Sequence, residues 1–383
     1  MCVELHLNMG FQISYVKYHP LLVPFCGPSD YGYRNSQRII GLCEVVDICG
    51  MSGFGEIYAS SYFPPEIMRS LLNHISGSLL NKQLERPEDF YENFTIPFIS
   101  NSGLIETLVG GIDIAIWDLF LKSNELTLGE YLLIKDNNVP KLYLSSGSNF
   151  MNSVEIADEC ASLDERFSGY KLRVSFNDRD VDFRRVEAAA CGLKNGQKLM
   201  IDSIMSTNPK PWNLPTAIDM VLKFLEFNPT WIEEPLHPNN FLGYQELCRL
   251  FPNLIALGEA LVGELEFRAV ETIPDLGFIQ LDPTQNGGLT KTLMLLSRFS
   301  ESNLAISMHV WGSKLSFNLN YQIASLFPII TWVEYPGYTL EIDQLIGDAS
   351  LTNSMIGFSD LKTLDSSSFI HSWSSDDGIY RVR

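Results

Sequence analysis

The chain has 383 residues, 45% hydrophobic and 19% charged, a composition that supports a sizeable core and excludes a disordered chain. Its 27 Lys and Arg are outnumbered by 46 Asp and Glu, a net charge of −19, so nucleic-acid backbones and anionic membrane surfaces are repelled over most of the molecule. Seven cysteines without a C-x-x-C pair, and a start (MCVELHLNMGFQIS) without a basic and then apolar leader, lead to the expectation of a cytoplasmic protein with no disulfide framework and no membrane span.

From the N-terminus, residues 1–135 read as one α+β region. Extended stretches FQISYVKYH and EVVDICG flank a Gly/Pro/Tyr-rich loop, residues 23–36, and the helical stretches PEIMRSLLNHI and ETLVGGIDIAIWDLFLKS follow. From residue 136 to 337 the texture becomes regular. Eight short apolar runs with β character appear in order: KLYLSS, YKLRVS, KLMID, TWIEE, LIALGE, FIQLD, LAISMH and IITWVE. Between them lie stretches of helical period, clearest in TAIDMVLKFLEF, where Ile218, Val221, Leu222 and Leu225 share a face. Strand and helix in alternation predict an α/β fold in which a parallel (β/α)7-8 barrel of the TIM type closes on itself. Residues 338–383, rich in Ser and Asp, form a C-terminal segment expected to pack back on the N-terminal region.

In such a barrel, side chains at the C-terminal strand ends converge on one mouth. The second run carries Lys171 and Arg173, the third ends in Asp202, the fourth in Glu233 and the fifth in Glu259. Asp282, His309 and Glu334 end the sixth, seventh and eighth. Taken singly, each has an ordinary explanation as an exposed basic residue, a turn or cap acid, or a hydrogen-bonded interior histidine. Their recurrence at one structural place on seven successive strands is what those explanations leave out. Three carboxylates, Asp202, Glu233 and Glu259, repel strongly unless a cation sits among them, and oxygen-only ligands point to Mg²⁺ or Mn²⁺. Across the mouth, Asp282 can orient His309 as a general base, and Glu334, if protonated, can donate a hydrogen bond to a developing oxyanion.

These motifs resemble the enolase superfamily, specifically its mandelate racemase-like branch. Lys171-x-Arg173, LMID with Asp202, WIEEPL with Glu233, IALGE with Glu259, IQLDPTQNGGLT with Asp282, ISMHVWGS with His309 and WVEYP with Glu334 carry the likeness. GFGEIYAS and GGIDIAIWDLFLKSNELTLGEYLL are similar to that family's capping domain, which makes residues 1–135 a cap, 136–337 the catalytic barrel and 338–383 a tail returning to the cap. The resemblance implies abstraction of the proton α to the carboxylate of a small-molecule substrate, assisted by Mg²⁺, in a homo-oligomer. It also makes the loop near residues 23–36 a mobile cover that would bring Tyr31, Tyr33 and Arg34 to the substrate, a reading as open as that of a plain surface loop.

Two departures sharpen the expectation. Where the branch commonly has a second lysine, this chain has Arg173, which stays protonated and is a poor base. One-sided chemistry with His309 as base then follows: dehydration of a sugar acid or related hydroxy acid to a 2-keto acid. The alternatives are a racemase or epimerase using Lys171 on the second face, and a metal-binding scaffold without turnover. Cycloisomerase chemistry is disfavoured, because it goes with a lysine on the sixth strand, where Asp282 stands. Ile204, two residues after Asp202, replaces a residue that is often polar in the branch, which points to an unusual substrate.

Overall fold

A computed structural model describes residues 10–26, 37–94, 103–135, 138–148, 150–174, 178–302 and 304–347, with 355 and 357. The first three strands, β1 (Phe11–Cys26), β2 (Gln37–Asp47) and β3 (Ser52–Ile57), form an antiparallel meander. Then come α1 (Pro65–Ser76), a short β4 (Gln83–Leu84) pairing with β1, α2 (Asp89–Asn93), α3 (Gly103–Ser123) and α4 (Leu128–Tyr131). The sequence reading placed shorter extended stretches here and began the Gly/Pro-rich loop at residue 23; β1 instead continues through Cys26, paired in register with β2 from Val16↔Val45 to Pro24↔Gln37.

Helix α3 is apolar on nearly all sides and is accordingly buried from Glu106 to Leu121. It lies so close to β3 that a Cβ at residue 55 would meet the Gly111 carbonyl oxygen at 2.2 Å, which explains why GFGE places glycine there. Two acids inside this apolar helix are satisfied by neighbours. Asp113 accepts from Thr290 N and Oγ1 at 2.9 and 2.6 Å, and Asp118 accepts from Phe54 N at 3.0 Å and from Lys122. No helix of the described residues is long and apolar enough to cross a membrane.

The barrel then runs β5 (Lys141–Ser146), α5 (Ser153–Ala161), β6 (Phe167–Arg173), α6 (Arg179–Gly192), β7 (Lys198–Asp202), α7 (Leu214–Phe224) and β8 (Trp231–Glu233). It continues through α8 (Phe241–Leu250), β9 (Ile255–Leu257), α9 (Glu264–Val270), β10 (Phe278–Leu281), α10 (Pro283–Asn286) and α11 (Leu289–Phe299). The last pieces are β11 (Ala305–Met308), α12 (Lys314–Leu326) and β12 (Ile330–Pro336). All eight strands are parallel and close in the cycle β5 to β12, so each apolar run read from the sequence is a barrel strand. Helix starts follow local chemistry: Asn152, Asn213 and Ser313 cap α5, α7 and α12 with their side chains.

Alternation along the strands sends one set of side chains outward to the helices and the other inward. The inward middle layer is a plug of Tyr143, Met200, Trp231, Ala256 and Trp332, with Phe278 against it. After β12 the chain leaves the barrel. β13 (Thr339–Leu340) pairs with the end of β1, Phe25 opposite Leu340, and Met355 N donates to Asp118 on α3 at 3.0 Å. A 3-10 turn at Glu341–Gln344 follows β13, and residues 348–354, 356 and 358–383 lie outside the described residues.

Candidate active site

Strand register brings the ionisable residues to one height. Arg173, Asp202 and Glu233 are direct partners across β6, β7 and β8. Leu281 pairs with Met308, which puts Asp282 and His309 side by side one residue later, and Glu334 pairs with Tyr143. Glu259 is out of phase with this alternation, since Ala256 already faces inward. Gly258 lets the chain turn: its φ is +144°, and a Cβ there would meet the Gln280 carbonyl oxygen at 2.3 Å.

Asp202, Glu233 and Glu259 each offer a carboxylate oxygen within 4.8 Å of the other two. Burial, then the charges of Asp202, Glu259 and Glu334, push Glu233 up to about 8, despite Lys171. Burial likewise raises Asp202. Two buried carboxylates raised in this way, with Glu259 beside them at the rim, form an oxygen-only set that a hard divalent cation such as Mg²⁺ would complete. Glu234, the next residue after Glu233, is buried at a left-handed φ of +39°, and burial with the charges of Glu259, Asp202 and Glu233 holds it well above its usual range.

On the other side, Asp282 divides its two oxygens. Oδ1 caps α10 through Thr284 N and Oγ1 at 3.0 and 2.7 Å, which leaves Oδ2 for His309 Nδ1 at 2.9 Å. His309 Nε2 faces Glu259 at 3.1 Å and Glu334 at 3.9 Å. Burial would lower the imidazole, but the charges of Glu334 and Glu259 and its hydrogen bond to Asp282 outweigh that and hold it well above its usual value. Glu259 correspondingly falls to about 2, its burial overcome chiefly by His309.

Between the walls lies Lys171, buried, with Nζ 2.8 Å from Glu233 Oε1, 3.0 Å from Glu334 Oε1 and 3.7 Å from Asp202 Oδ2. Burial pulls it down, yet these carboxylates keep it firmly protonated. Arg173 points to the mouth, Nε 3.8 Å from Asp202 Oδ2, with its guanidinium over the Trp311 ring at 4.2 Å.

The condition placed on Glu334 as a donor, that it be protonated, is disfavoured by its surroundings. It accepts from Tyr143 OH at 3.4 Å and Val310 N at 3.1 Å, and although burial would raise it, Lys171, His309 and Arg173 hold it below its usual value. With two cations beside it the carboxylate keeps its charge. Tyr31, Tyr33 and Arg34 lie outside the described residues. The sequence reading missed Tyr58, from a 3-10 turn of the cap at Tyr58–Ser61, whose ring centroid is 6.2 Å from that of His309. It also missed Trp311 and Trp231, whose Nε1 donates to Glu233 Oε2 at 3.1 Å. Only the WG of ISMHVWGS, directly after the histidine, offered a signal for Trp311.

The family model for the enolase C-terminal domain-like group matches residues 155–357. The chain is 26% identical over 337 residues to L-talarate/galactarate dehydratase of Salmonella typhimurium, covering 85% of this chain and 82% of that protein. It is 26% identical over 319 residues to D-gluconate dehydratase of Thermoproteus tenax, covering 80% and 63%. Among solved structures, an enolase from alpha pretobacterium bal199 with bound Mg superposes with a TM-score of 0.77 at 18% identity, over 93% of this chain and 99% of that one, a likeness of fold.

Proposed function

This chain belongs to the enolase C-terminal domain-like family, and on that premise we propose that it is a Mg²⁺-dependent hydro-lyase acting on a sugar acid or related hydroxy acid. The dehydratases it resembles support the reaction class. The observation that carries the reading is the facing pair of walls: three carboxylates within 4.8 Å opposite an imidazole held by Asp282 at 2.9 Å.

In this reading His309 Nε2 removes the proton α to the substrate carboxylate, while Asp282 fixes the ring and stabilises the imidazolium. The C–H electron pair moves toward the carboxylate, where Arg173 and the buried Lys171 oppose the growing negative charge with fixed positive charge. A divalent cation held by Asp202, Glu233 and Glu259 supplies further electrostatic stabilisation of that charge when bound. The Cβ–O bond then breaks, and the leaving hydroxide takes the proton from His309 Nε2 as water. The resulting enol tautomerises to the 2-keto acid. Glu259 at 3.1 Å and Glu334 at 3.9 Å from Nε2 favour the imidazolium, and a divalent cation on Glu259 would offset the first of these charges.

Racemisation or epimerisation needs a base on the second face. Arg173 is permanently protonated, and Lys171 is locked by Glu233 and Glu334 at 2.8 and 3.0 Å. Incubation in D₂O with Mg²⁺ and a panel of aldonic and aldaric acids tests the proposal, with α-hydrogen exchange read by NMR and 2-keto acid by a carbonyl reagent. Keto acid is the expected product. Exchange without keto acid would replace the lyase by an epimerase, and neither across the panel would make the chain a metal-binding scaffold.

A further inference from the structure

The cap holds the loop at residues 310–313, between the candidate base and α12, at two points. Glu56 on β3 accepts from Ser313 N at 3.1 Å and from Ser313 Oγ at 2.7 Å. Arg38 on β2, almost fully buried, donates to the Trp311 carbonyl oxygen, to Tyr338 OH at 2.7 Å and to Ser61 Oγ at 2.8 Å. Its Cζ is 5.6 Å from the Trp311 ring centroid. Tyr338 meets that indole edge-on, at 4.9 Å and 89°, and Phe25 at the end of β1 meets Tyr338 edge-on at 5.6 Å. The same indole carries the Arg173 guanidinium at 4.2 Å.

We propose that Arg38 is a positioning residue for Arg173. Anchored in the cap, it holds the backbone of Trp311, and the ring of Trp311 selects the rotamer in which Arg173 presents its guanidinium to the arriving anion. An arginine side chain has many rotamers, and the polar contacts of Arg173 are loose: 3.8 Å to Asp202 and 3.4 Å to Ser145 Oγ. The indole face is therefore its best-defined contact. Arg38 and Phe25 stand at the facing ends of β2 and β1, so the position of those strand ends reaches the barrel mouth through Tyr338 and Trp311. The inference rests on the proposed function only in taking Arg173 to meet the substrate's charge.

The test uses the full chain with Mg²⁺ and two readouts. The first needs no substrate: the rate at which phenylglyoxal modifies Arg173, followed by peptide mass spectrometry. Arg38→Met should raise it roughly tenfold, Trp311→Leu should match that, and Trp311→Phe, which keeps a ring, should stay near wild type. In the Trp311→Leu background, Arg38→Met should add nothing. Ser313→Ala, which loosens the other clamp, serves as the control for general cap docking. If it exposes Arg173 as much as Arg38→Met does, or if Arg38→Met leaves the labelling unchanged, the positioning role is wrong. Should Arg38→Met fail to fold, Arg38→Lys keeps the charge but loses the fork, and gives the same readings.

The second readout is KM for a carboxylate that turns over, expected to rise about tenfold with a smaller change in kcat. A wild-type chain that turns over no carboxylate would remove the lyase reading and leave the labelling result to decide the positioning role.

Discussion

The two walls of the barrel mouth carry similar acids in opposite electrostatic states. On one, Asp202, Glu233 and Glu259 face each other within 4.8 Å, and Glu233 is driven up to about 8. On the other, an imidazole sits between acids, with Asp282 at 2.9 Å and Glu334 at 3.9 Å, and Glu334 stays below its usual value. The second wall is balanced by the protein's own charges. The first shares its cations with the second, Lys171 meeting Glu233 at 2.8 Å and His309 meeting Glu259 at 3.1 Å, and a divalent cation would complete it.

The largest way to break this contrast is His309→Asn, which removes the balancing cation of the second wall and the candidate base together. Keto-acid formation should fall by roughly 10³–10⁴ while calorimetric Mg²⁺ binding persists. If Mg²⁺ binding is lost as well, the two walls are not separate in function. Lys171→Met should come next, because that ammonium ties Glu233 to Glu334. Leaving two buried carboxylates without their partner should destabilise the chain by about 3–5 kcal/mol, read from urea unfolding with EDTA present. A loss under about 1 kcal/mol would show that the tie is dispensable.

Acidity sharpens the contrast more gently. A carboxyl raised in the folded state, from 4.5 to about 8 for Glu233, gives its full contribution below 4.5 and loses it as pH rises through about 8. Metal-free protein should therefore weaken across that interval, and the gain in Tm from Mg²⁺ should grow from about pH 5 to about pH 8, as protons cease to compete for the ligand. A gain that is flat with pH would contradict the crowded-carboxylate picture. The smallest effect belongs to Ile204, a β-branched residue at φ +47° whose N–H donates to Asp202 Oδ1 at 2.9 Å. Ile204→Asn, better suited to left-handed backbone, should raise the urea midpoint by the equivalent of about 1 kcal/mol. No rise would mean that the packing of the isoleucine offsets the strain.

Much of this site was legible because barrel strands write themselves locally. Each is a short apolar run whose last residues reach the mouth, so Asp202, Glu233, Asp282, His309 and Glu334 declare their place by position alone. The cap residues gave no such sign. Tyr58 reaches the ring of His309, and Arg38 the backbone of Trp311, across more than half the chain, and no local period encodes such an approach. Ile204 was visible as an odd choice of residue, but its left-handed conformation was not.

Strand and helix order, the closed barrel, and the set of acids and bases at its mouth were determined by the sequence itself, because alternation and strand-end position are properties of neighbouring residues. Only the tertiary structure decided the charge states. Lys171 and Arg173 are two residues apart on one strand, yet one is locked among carboxylates and the other lies on an indole. Glu334 is held below its usual value by Lys171 and His309, which the sequence left open. Burial and Coulomb energy depend on what lies within a few ångströms in space, and that proximity is created by closing the barrel and seating the cap upon it.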